Sequence, residues 1–295
     1  MRRIAYLTSA DMVPGSGSGR EDLFELELQL GQLVPALRDR GLELDLRVWD
    51  DPELRPADYA AVVVGTTWDY TTRAEEFLDR MDAFAAHSVV LNPPDVLRWN
   101  ADKRYLQQLA ERGVPTIPTA WIDRVDGAAV ADARARLGAG EVVIKSVVGA
   151  CAERQVRLAP GAALPPAEQC PPGAAMVQPF LQSIVEEGEI SVIFCGDRPS
   201  HALRKRPAAG DYRVQSVYGG REEVVTLSAD EDALCRRIIA AVDRSLLYGR
   251  VDLVRGADGA LKLIELELIE PYLYPEQGPE LGRRYAAALE GLLDR

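Results

Sequence analysis

The chain of 295 residues contains 27% charged and 47% hydrophobic residues, which is typical of a globular protein with room for two or three subdomains. Its formal net charge of −12 at pH 7 argues against nucleic acid or an anionic membrane as a partner, because either would require a basic surface. No apolar run approaches the roughly 20 residues of a membrane helix, and the chain starts with a strand pattern rather than a signal-peptide core, so we expect a cytoplasmic protein.

The first third of the chain alternates apolar runs with amphipathic stretches, a pattern that favours an open α/β domain. Leucines recur at spacings of four, three and four from Leu26 to Leu37, which predicts a helix over about residues 22–40. We expect this domain to span residues 1–95 and to end at a double proline. The other predicted elements are strands at 3–9, 42–48, 59–64 and 89–91 and a helix at about 73–86.

A polar and aromatic cluster follows the third predicted strand and consists of Thr67, Trp68, Asp69 and Tyr70. Ligands of open α/β sheets bind at the carboxyl ends of the strands, so these four residues are candidates for substrate contact. Packing of the aromatic side chains in a core or beneath a lid explains the same pattern equally well.

Lysine is rare in this sequence, with four residues against thirty arginines, so each lysine is a candidate for a compact point charge. Lys103 lies in the first turn of a helix predicted from Asn100 or Asp102 to Gly113, where a bound anion would relieve its conflict with the helix dipole. Lys145 interrupts an apolar strand and requires either a carboxylate partner or a ligand phosphate. The small-residue turn at 148–152 would let backbone amides approach an anion.

The last third of the chain predicts a second sheet, with strands at 189–195 and 201–203 and a helix at about 229–246. Before it, a strand at 175–181 is stopped by a proline, a pattern that suits a hinge. The segment from Leu203 to Arg213 concentrates four cations in an acidic protein. A solvated turn is one interpretation, and a local anion-binding patch fits better.

A hairpin is predicted around the glycine-containing turn at 256–259, and three carboxylates interrupt its aliphatic strands. Glu265 and Glu267 share one face of a strand, and Asp252 on the partner strand can join them. Three ionised carboxylates beside apolar residues repel one another and lose hydration, so a cation is their natural partner. Oxygen ligands of this kind suit Mg²⁺. The alternative is a solvated hairpin face.

The order of these motifs resembles the ATP-grasp superfamily of carboxylate-amine ligases from about residue 100 onward. The resemblance rests on Asn100-Ala101-Asp102-Lys103, Gly113-Val114-Pro115, Val143-Ile144-Lys145, Met176-Val177-Gln178-Pro179-Phe180, Glu187-Gly188-Glu189, Arg213, Asp252 and Glu265-Leu266-Glu267. The fragments at 67–70, 98–103 and 265–271 are similar to one branch, the small ATP-grasp proteins that include D-cycloserine synthetase. This resemblance implies an open α/β domain followed by two α+β subdomains, at 96–182 and 183–295, that hold ATP between them.

The resemblance also implies roles for individual residues. Lys103 and Lys145 would hold the ATP phosphates from opposite sides, with Gly149 in the covering loop. Asp252, Glu265 and Glu267 would hold Mg²⁺, while Arg213 and Lys205 would stabilise the transferring phosphoryl group. Further implied contacts are Met176, Gln178, Pro179 and Phe180 for adenine, Glu189 for the ribose or adenine, and Thr67, Trp68, Asp69, Tyr70 and Glu270 for the substrate.

The implied reaction is ATP-dependent conversion of a small amino-acid-derived carboxylate to an acyl phosphate, which an amine-type nitrogen attacks with release of ADP and phosphate. In the small branch the two groups belong to one molecule, as in ring closure of O-ureido-D-serine to D-cycloserine. Intermolecular amide ligation and a non-catalytic nucleotide-binding regulator are the alternatives, and a homodimer is the default assembly. Two departures from the family pattern are Glu267, where many members carry Asn, and a loop at 150–154 without glycine.

Overall fold

The computed structural model describes residues 1–149 and 152–294. The turn predicted at 148–152 therefore falls partly on Ala150 and Cys151, which lie outside the described residues. Three separate sheets organise the rest of the chain, which confirms the predicted mixed α/β class. Among the helices of the described ranges, none is long and apolar enough to cross a membrane.

The first sheet is parallel, as expected for an open α/β domain. Its elements are β1 (Arg2–Thr8), α1 (Leu23–Arg38), β2 (Leu42–Val48), β3 (Ala61–Val64), α2 (Ala74–Ala85) and β4 (Val89–Leu91). The strands pair in the order β2-β1-β3-β4. Helix α1 buries Leu26, Leu33 and Leu37, so the predicted leucine spacing defines the face that packs on the sheet.

The second sheet is antiparallel and occupies the middle of the chain. This part contains α3 (Pro94–Ala101), α4 (Tyr105–Glu111), β5 (Ala120–Ile122), α5 (Gly127–Leu137), β6 (Val142–Ser146), β7 (Val156–Leu158) and β8 (Ala175–Pro179). The strand order is β5-β8-β6-β7. Strand β6 therefore lies between β8 and β7, and it places Lys145 beside Met176 of β8.

The third sheet is also antiparallel and has five strands. This part of the chain contains α6 (Ser183–Glu186), β9 (Glu189–Cys195), β10 (Arg198–Arg206), β11 (Arg221–Val224), α7 (Ala229–Ala240), β12 (Tyr248–Arg255), β13 (Leu261–Glu267) and α8 (Leu281–Leu293). The order β11-β10-β9-β12-β13 makes the predicted hairpin the last two strands and leaves β13 at the edge.

The N-terminal sheet and the C-terminal sheet are joined by buried contacts. Tyr248 donates its hydroxyl hydrogen toward the carbonyls of Val64 and Ile269, each at 2.8 Å. Asn92 donates to the carbonyls of Tyr248 at 3.0 Å and Leu268 at 2.8 Å. Helix α8 packs along α1, and buried residues of both helices belong to one hydrophobic core that also includes residues of both sheets. Because buried polar groups are costly to leave unpaired, these bonds hold the two sheets in a defined arrangement.

The helix predicted to begin at Asn100 or Asp102 differs from the observed structure. Helix α3 already begins at Pro94, because proline is favourable in the first turn of a helix, and it ends at Ala101. Helix α4 starts only at Tyr105. Lys103 therefore lies in the break between two helices, and the double proline starts a helix rather than ending regular structure.

Candidate active site

The register of the hairpin brings the three predicted carboxylates to one cleft. Asp252 of β12 is directly opposite Glu265 of β13, and Arg250 is opposite Glu267. A register shift follows Asp252, as at a β-bulge, a feature common beside active sites. All four side chains line the same cleft. The side chains of Glu265 and Glu267 keep 32% and 28% of their surface exposed, whereas Asp252 is almost fully buried.

Each of these carboxylates is paired with a cation of the protein. Arg250 Nη2 lies 3.0 Å from Asp252 Oδ2 and also forms an ion pair with Glu267. Lys103 Nζ lies 3.0 Å from Glu265 Oε1. Lys205 Nζ lies 3.7 Å from Asp252 Oδ1. The hairpin face is therefore a partly buried network of alternating charges, with Asp252 at its buried end, and not a fully solvated surface.

The charges shift the three carboxyl pKa values in different directions. Burial alone would raise all of them. The charges of Arg250 and Lys205 nevertheless lower the pKa of Asp252, and those of Lys103 and Lys145 lower the pKa of Glu265. At Glu267 burial and the two neighbouring carboxylates outweigh Arg250, and the pKa rises to about 7. Glu267 is thus the carboxyl that gains most from an additional cation.

The donor set fits Mg²⁺ chemically, because carboxylate oxygens are the ligands that this ion prefers. Within the described ranges, no three acidic, histidine or cysteine side chains are already gathered as a metal site. Each carboxylate already faces Arg250, Lys205 or Lys103, so a bound metal ion would share these carboxylates with the cations of the protein.

Lys103 and Lys145 approach the cleft from the central part of the chain. Lys103 Nζ donates a hydrogen bond to the carbonyl of Gly149, and its backbone N–H donates to Val147 at 2.9 Å. The side chain of Lys145 forms no hydrogen bond or ion pair with any described residue, and burial lowers its pKa. Of the two partners expected for Lys145, the described part of the chain supplies no directly paired carboxylate. An anionic ligand would supply the missing charge.

An apolar slot opens beside Lys145, which lines both the slot and the main cleft. Its walls include Val143, Val254 and Ile264 together with Gln178, Pro179 and Phe180 of the predicted hinge. Gln178 is 2% exposed and donates from Nε2 to Thr119 Oγ1 at 3.0 Å. The slot is lined mainly by apolar residues and lies beside the cation of Lys145, the chemistry that suits an adenine ring.

Met176, predicted to contact adenine, and Glu189, predicted to contact the ribose or adenine, are not among the residues that line the slot. Met176 is fully buried in the hydrophobic core that includes Tyr105 and Val192, and it does not line the slot. Glu189 lines the main cleft and forms an ion pair with Lys205. The carboxylate of Glu189 is therefore beside the charged network and away from the slot.

The cationic segment from Leu203 to Arg213 does not form one anion-binding patch. Because β10 is a strand, alternate side chains point to opposite faces. Lys205 is 3% exposed and faces the cleft, whereas Arg204 and Arg206 form ion pairs with Glu223. Arg213 lines the cleft from the loop after β10, where it pairs with Asp211 at 2.7 Å. Two of the four cations thus reach the site.

The cluster at the end of β3 is divided between the cleft and the domain interior. Trp68 and Tyr70 line the cleft, and Trp68 Nε1 donates to the carbonyl of Glu270 at 3.0 Å. Glu270 also lines the cleft, and burial raises its pKa well above the ordinary value. Thr67 is fully buried, and neither it nor Asp69 is among the residues that line the cleft. Asp69 accepts a hydrogen bond from Trp49 Nε1 at 2.8 Å.

Arg250 and Glu25 are among the residues of the cleft that are absent from the sequence-based prediction. Arg250 carries the ion pairs of the hairpin, and its position two residues before Asp252 on a strand is the signal that identifies it. Glu25 of α1 is 8% exposed and accepts a hydrogen bond from Ser216 at 2.9 Å. Burial raises the pKa of Glu25 to about 7. Its signal is the polar pair Glu25 and Gln29, one helical turn apart on a buried face.

Comparisons with known proteins agree with this architecture. The N-terminal domain of D-cycloserine synthetase DcsG matches residues 4–92, and the ATP-grasp domain of prokaryotic glutathione synthetase matches residues 167–271. The cycloserine biosynthesis protein DcsG of Streptomyces lavendulae is 32% identical over an alignment of 287 residues, which covers 90% of this chain and 93% of that protein.

Solved structures extend the similarity to the whole fold. The crystal structure of D-cycloserine synthetase DcsG has a TM-score of 0.85 at 28% identity and covers 99% of both chains. D-alanine–D-alanine ligase from Bacillus anthracis, solved with ATP, shares the fold with a TM-score of 0.68 at 14% identity, over 100% of this chain and 97% of that one. ATP-grasp ligases use ATP with Mg²⁺, as in the ATP-grasp ligase PsnB solved with Mg and ADP. This chain therefore belongs to the DcsG family and is an ATP-grasp ligase.

Proposed function

We propose that this ligase uses ATP and Mg²⁺ to activate the carboxylate of a small amino-acid-derived molecule, which then closes into a ring. The best candidate is conversion of O-ureido-D-serine to D-cycloserine. The observation that supports this choice most is the 32% identity to the cycloserine biosynthesis protein over 90% of the chain. The cleft supports the ATP-dependent half of the reaction through Lys103, Lys145 and the carboxylates of the hairpin.

The nucleotide is proposed to lie across the two connected cavities. Adenine enters the apolar slot between Val143 and Phe180, and the phosphates extend past Lys145 into the charged cleft. Asp252, Glu265 and Glu267 are the proposed ligands of Mg²⁺, which when bound neutralises charge on the phosphates.

The cations of the third sheet are proposed to stabilise charge at the transferred phosphoryl group. Arg250 and Lys205 are buried beside Asp252, so they are held in place before substrate binds. Arg213 approaches from the loop after β10 and is less buried, with 34% of its side chain exposed. Fixed charges in a site that excludes water stabilise developing negative charge without reorganisation. Arg250 and Lys205 are therefore the cations expected to contribute most.

The proposed reaction has two steps, formation of an acyl phosphate and ring closure, followed by loss of the carbamoyl group. A carboxylate oxygen attacks the γ-phosphorus and ADP leaves, which gives the acyl phosphate. The nitrogen bonded to the side-chain oxygen attacks the acyl carbon, loses its proton and expels phosphate. The five-membered ring then keeps the carbamoyl group on that nitrogen until one water removes it as ammonia and carbon dioxide. Attack within one molecule benefits from the high effective concentration of tethered groups.

The substrate is proposed to bind between the hairpin and the N-terminal domain. Its carboxylate would face Arg250, and its ammonium group would face Glu25, which also experiences the charge of Arg250. Trp68, Tyr70 and Glu270 line the same end of the cleft. A buried carboxylate opposite an ammonium gains a charge-assisted hydrogen bond.

We further propose that the domain boundaries lie near residues 95 and 182, between the sheets.

The proposed function is tested by incubating the protein with ATP, Mg²⁺ and a panel of amino-acid-derived carboxylates that includes O-ureido-D-serine. We expect ADP to form with O-ureido-D-serine, and mass spectrometry to detect D-cycloserine or its N-carbamoyl form. A condensed mass of two substrates would instead indicate intermolecular ligation. A lack of substrate-dependent ADP formation across the panel would favour a regulatory nucleotide-binding protein, and AMP formation would reject the acyl phosphate.

A further inference from the structure

The strand that carries Glu265 and Glu267 has one open edge. Strand β13 is the last of its sheet, and its outer side forms one isolated backbone bridge, where the N–H of Leu263 donates to the carbonyl of Pro115 at 2.7 Å. Further along the strand, the outer row of backbone N–H and C=O groups has no neighbouring strand to bond with. Buried backbone groups of this kind must find other partners. Leu266 and Leu268 are both buried, at 1% and 0% exposure, so their backbone partners determine how firmly this part of the strand is held.

Two side chains take the place of the missing strand. Asn100 Nδ2 donates to the carbonyl of Leu266 at 2.8 Å, and Asn100 Oδ1 accepts from the N–H of Leu268 at 2.8 Å. The hydroxyl of Tyr105 accepts from the N–H of Leu266 at 2.8 Å. Asn100 thus bonds to the residues on either side of Glu267 in the sequence, and Tyr105 bonds to the residue directly after Glu265.

The same short segment carries the phosphate-side lysine. Lys103 lies between Asn100 and Tyr105, and its Nζ is 3.0 Å from Glu265 Oε1. Its backbone N–H bonds to Val147, just beyond β6. The segment 100–105 is thus bonded to the carboxylate strand on one side and to the end of the strand of Lys145 on the other.

We propose that Asn100 and Tyr105 are positioning residues that set the affinity of the site for the metal–nucleotide complex. They hold Glu265 and Glu267 at a fixed distance from Lys103, so that the metal-side carboxylates and the phosphate-side lysine engage one ligand together. Neither side chain needs to touch the reacting atoms for this role. The inference rests on the proposed binding of a divalent cation and ATP in this cleft.

The energetic argument follows from the number and burial of the bonds. Asn100 is 8% exposed and Tyr105 is 2% exposed, so water cannot easily replace the lost partners. Removing outer partners of metal ligands typically weakens metal affinity by about 10- to 100-fold. A role limited to stability would instead lower the melting temperature and leave the affinity of the folded protein unchanged.

The test compares Tyr105→Phe with the matched variant Tyr248→Phe. Both tyrosines are 2% exposed and bond to backbone groups, but Tyr248 bonds to Val64 and Ile269 and lies outside the lining of the cleft. Binding of Mn²⁺ with a non-hydrolysable ATP analogue is measured by electron paramagnetic resonance, with melting temperature and the KM for ATP recorded in parallel.

We expect Tyr105→Phe to weaken Mn²⁺ binding by about 3- to 10-fold and Asn100→Ala by about 10-fold or more. Tyr248→Phe should lower the melting temperature and keep Mn²⁺ affinity within about twofold of the wild type. Equal Mn²⁺ affinities in Tyr105→Phe and Tyr248→Phe would overturn the positioning role, and Tyr105→Phe decides the outcome if Asn100→Ala does not fold. A wild-type protein that binds no Mn²⁺–nucleotide would overturn the proposed function itself.

Discussion

The hairpin of β12 and β13 directs all three carboxylates of its strands into the cleft, whereas only two of the four residues at 67–70, after β3, line it. The other two residues lie in the interior of the N-terminal domain. Asp252, Glu265 and Glu267 all line the cleft and each faces a cation. At the end of β3, Trp68 lines the cleft, but Asp69 accepts a hydrogen bond from Trp49.

The difference has a physical origin. A carboxylate in the middle of an apolar strand has no local backbone partner and no water, so a cation or ligand must compensate it. A polar residue just after a strand has free backbone groups and neighbouring side chains nearby, and it is readily used in local structure. An isolated charge on a strand is therefore a stronger sign of function than a polar cluster in a loop.

The largest effect is expected from Glu265→Gln, which removes one charge from the hairpin face. We expect the rate of ADP formation to fall by about 10³-fold, because the carboxylate is a proposed Mg²⁺ ligand paired with Lys103. Asp258→Asn, in the exposed turn of the same hairpin, is the control and should stay within about twofold. Comparable losses in both variants would mean that the hairpin face has no special role.

A smaller loss is expected from Lys145→Met, which keeps the apolar stem and removes the charge. Lys145 has no ion pair within the described ranges, so the variant leaves no protein carboxylate without its partner. We expect kcat/KM for ATP to fall by about 100-fold with little change in melting temperature. Lys262→Met is the matched control, since Lys262 pairs with Asp258 near the exposed turn. An unchanged kcat/KM for ATP in Lys145→Met would contradict phosphate binding.

Glu25→Gln tests whether the N-terminal domain contributes a charge to substrate binding. We expect the KM for O-ureido-D-serine to rise by about 10-fold at pH 8 while the KM for ATP stays unchanged. Because the pKa of Glu25 is about 7, wild type and variant should converge as the pH falls below 7 and the carboxyl becomes neutral. A parallel rise in both KM values would assign Glu25 to the nucleotide instead.

The same residue makes a prediction about stability. Burial raises the pKa of Glu25, so its favourable contribution to folding is present at acid pH and is lost as the pH rises through about 7. Without substrate, Glu25→Gln should therefore be more stable than the wild type at pH 8, by about 1–3 kcal/mol, and the difference should shrink toward pH 5. Chemical denaturation at both pH values measures it.

The smallest kinetic effect is expected from Asp69→Asn. This variant weakens the bond to Trp49 and the ion pair with Arg73, so the free energy of unfolding should fall by about 1 kcal/mol while both KM values stay within about twofold. Trp68→Phe removes the bond to the carbonyl of Glu270 and should raise the KM for the carboxylate substrate alone. Equal effects of the two variants on KM would remove the distinction between cleft and interior.

The sequence predicts the sheets and most of the charged cleft because Lys103, Lys145 and the hairpin carboxylates interrupt apolar runs. Such patterns do not always identify a ligand contact: Met176 is predicted to contact adenine, but its side chain is buried in the hydrophobic core. Alternation gives the face of a strand, but it does not tell whether protein or ligand covers that face. Asn100, just before the break between α3 and α4, bonds to the backbone of Leu266 and Leu268, and such a contact between residues that are distant in sequence is not visible in a local pattern.

Arg250 and Glu25 leave only weak signals in the sequence, and they show why the sequence-based prediction missed part of the site. Arg250 is one of thirty arginines, so composition does not distinguish it, and its importance comes from pairing with two carboxylates at once. Glu25 lies in a helix that also carries exposed glutamate, and only the packing of α1 beside the cleft determines which glutamate is buried.

The central claim, that ATP activates a substrate carboxylate, is tested most directly by isotope transfer. The protein is incubated with unlabelled ATP and O-ureido-D-serine carrying ¹⁸O in both carboxylate oxygens, and the released phosphate is analysed by mass spectrometry. An acyl phosphate requires one ¹⁸O atom in each phosphate, since the bond from that oxygen to the acyl carbon breaks when the nitrogen attacks. Formation of ADP with unlabelled phosphate would contradict this account.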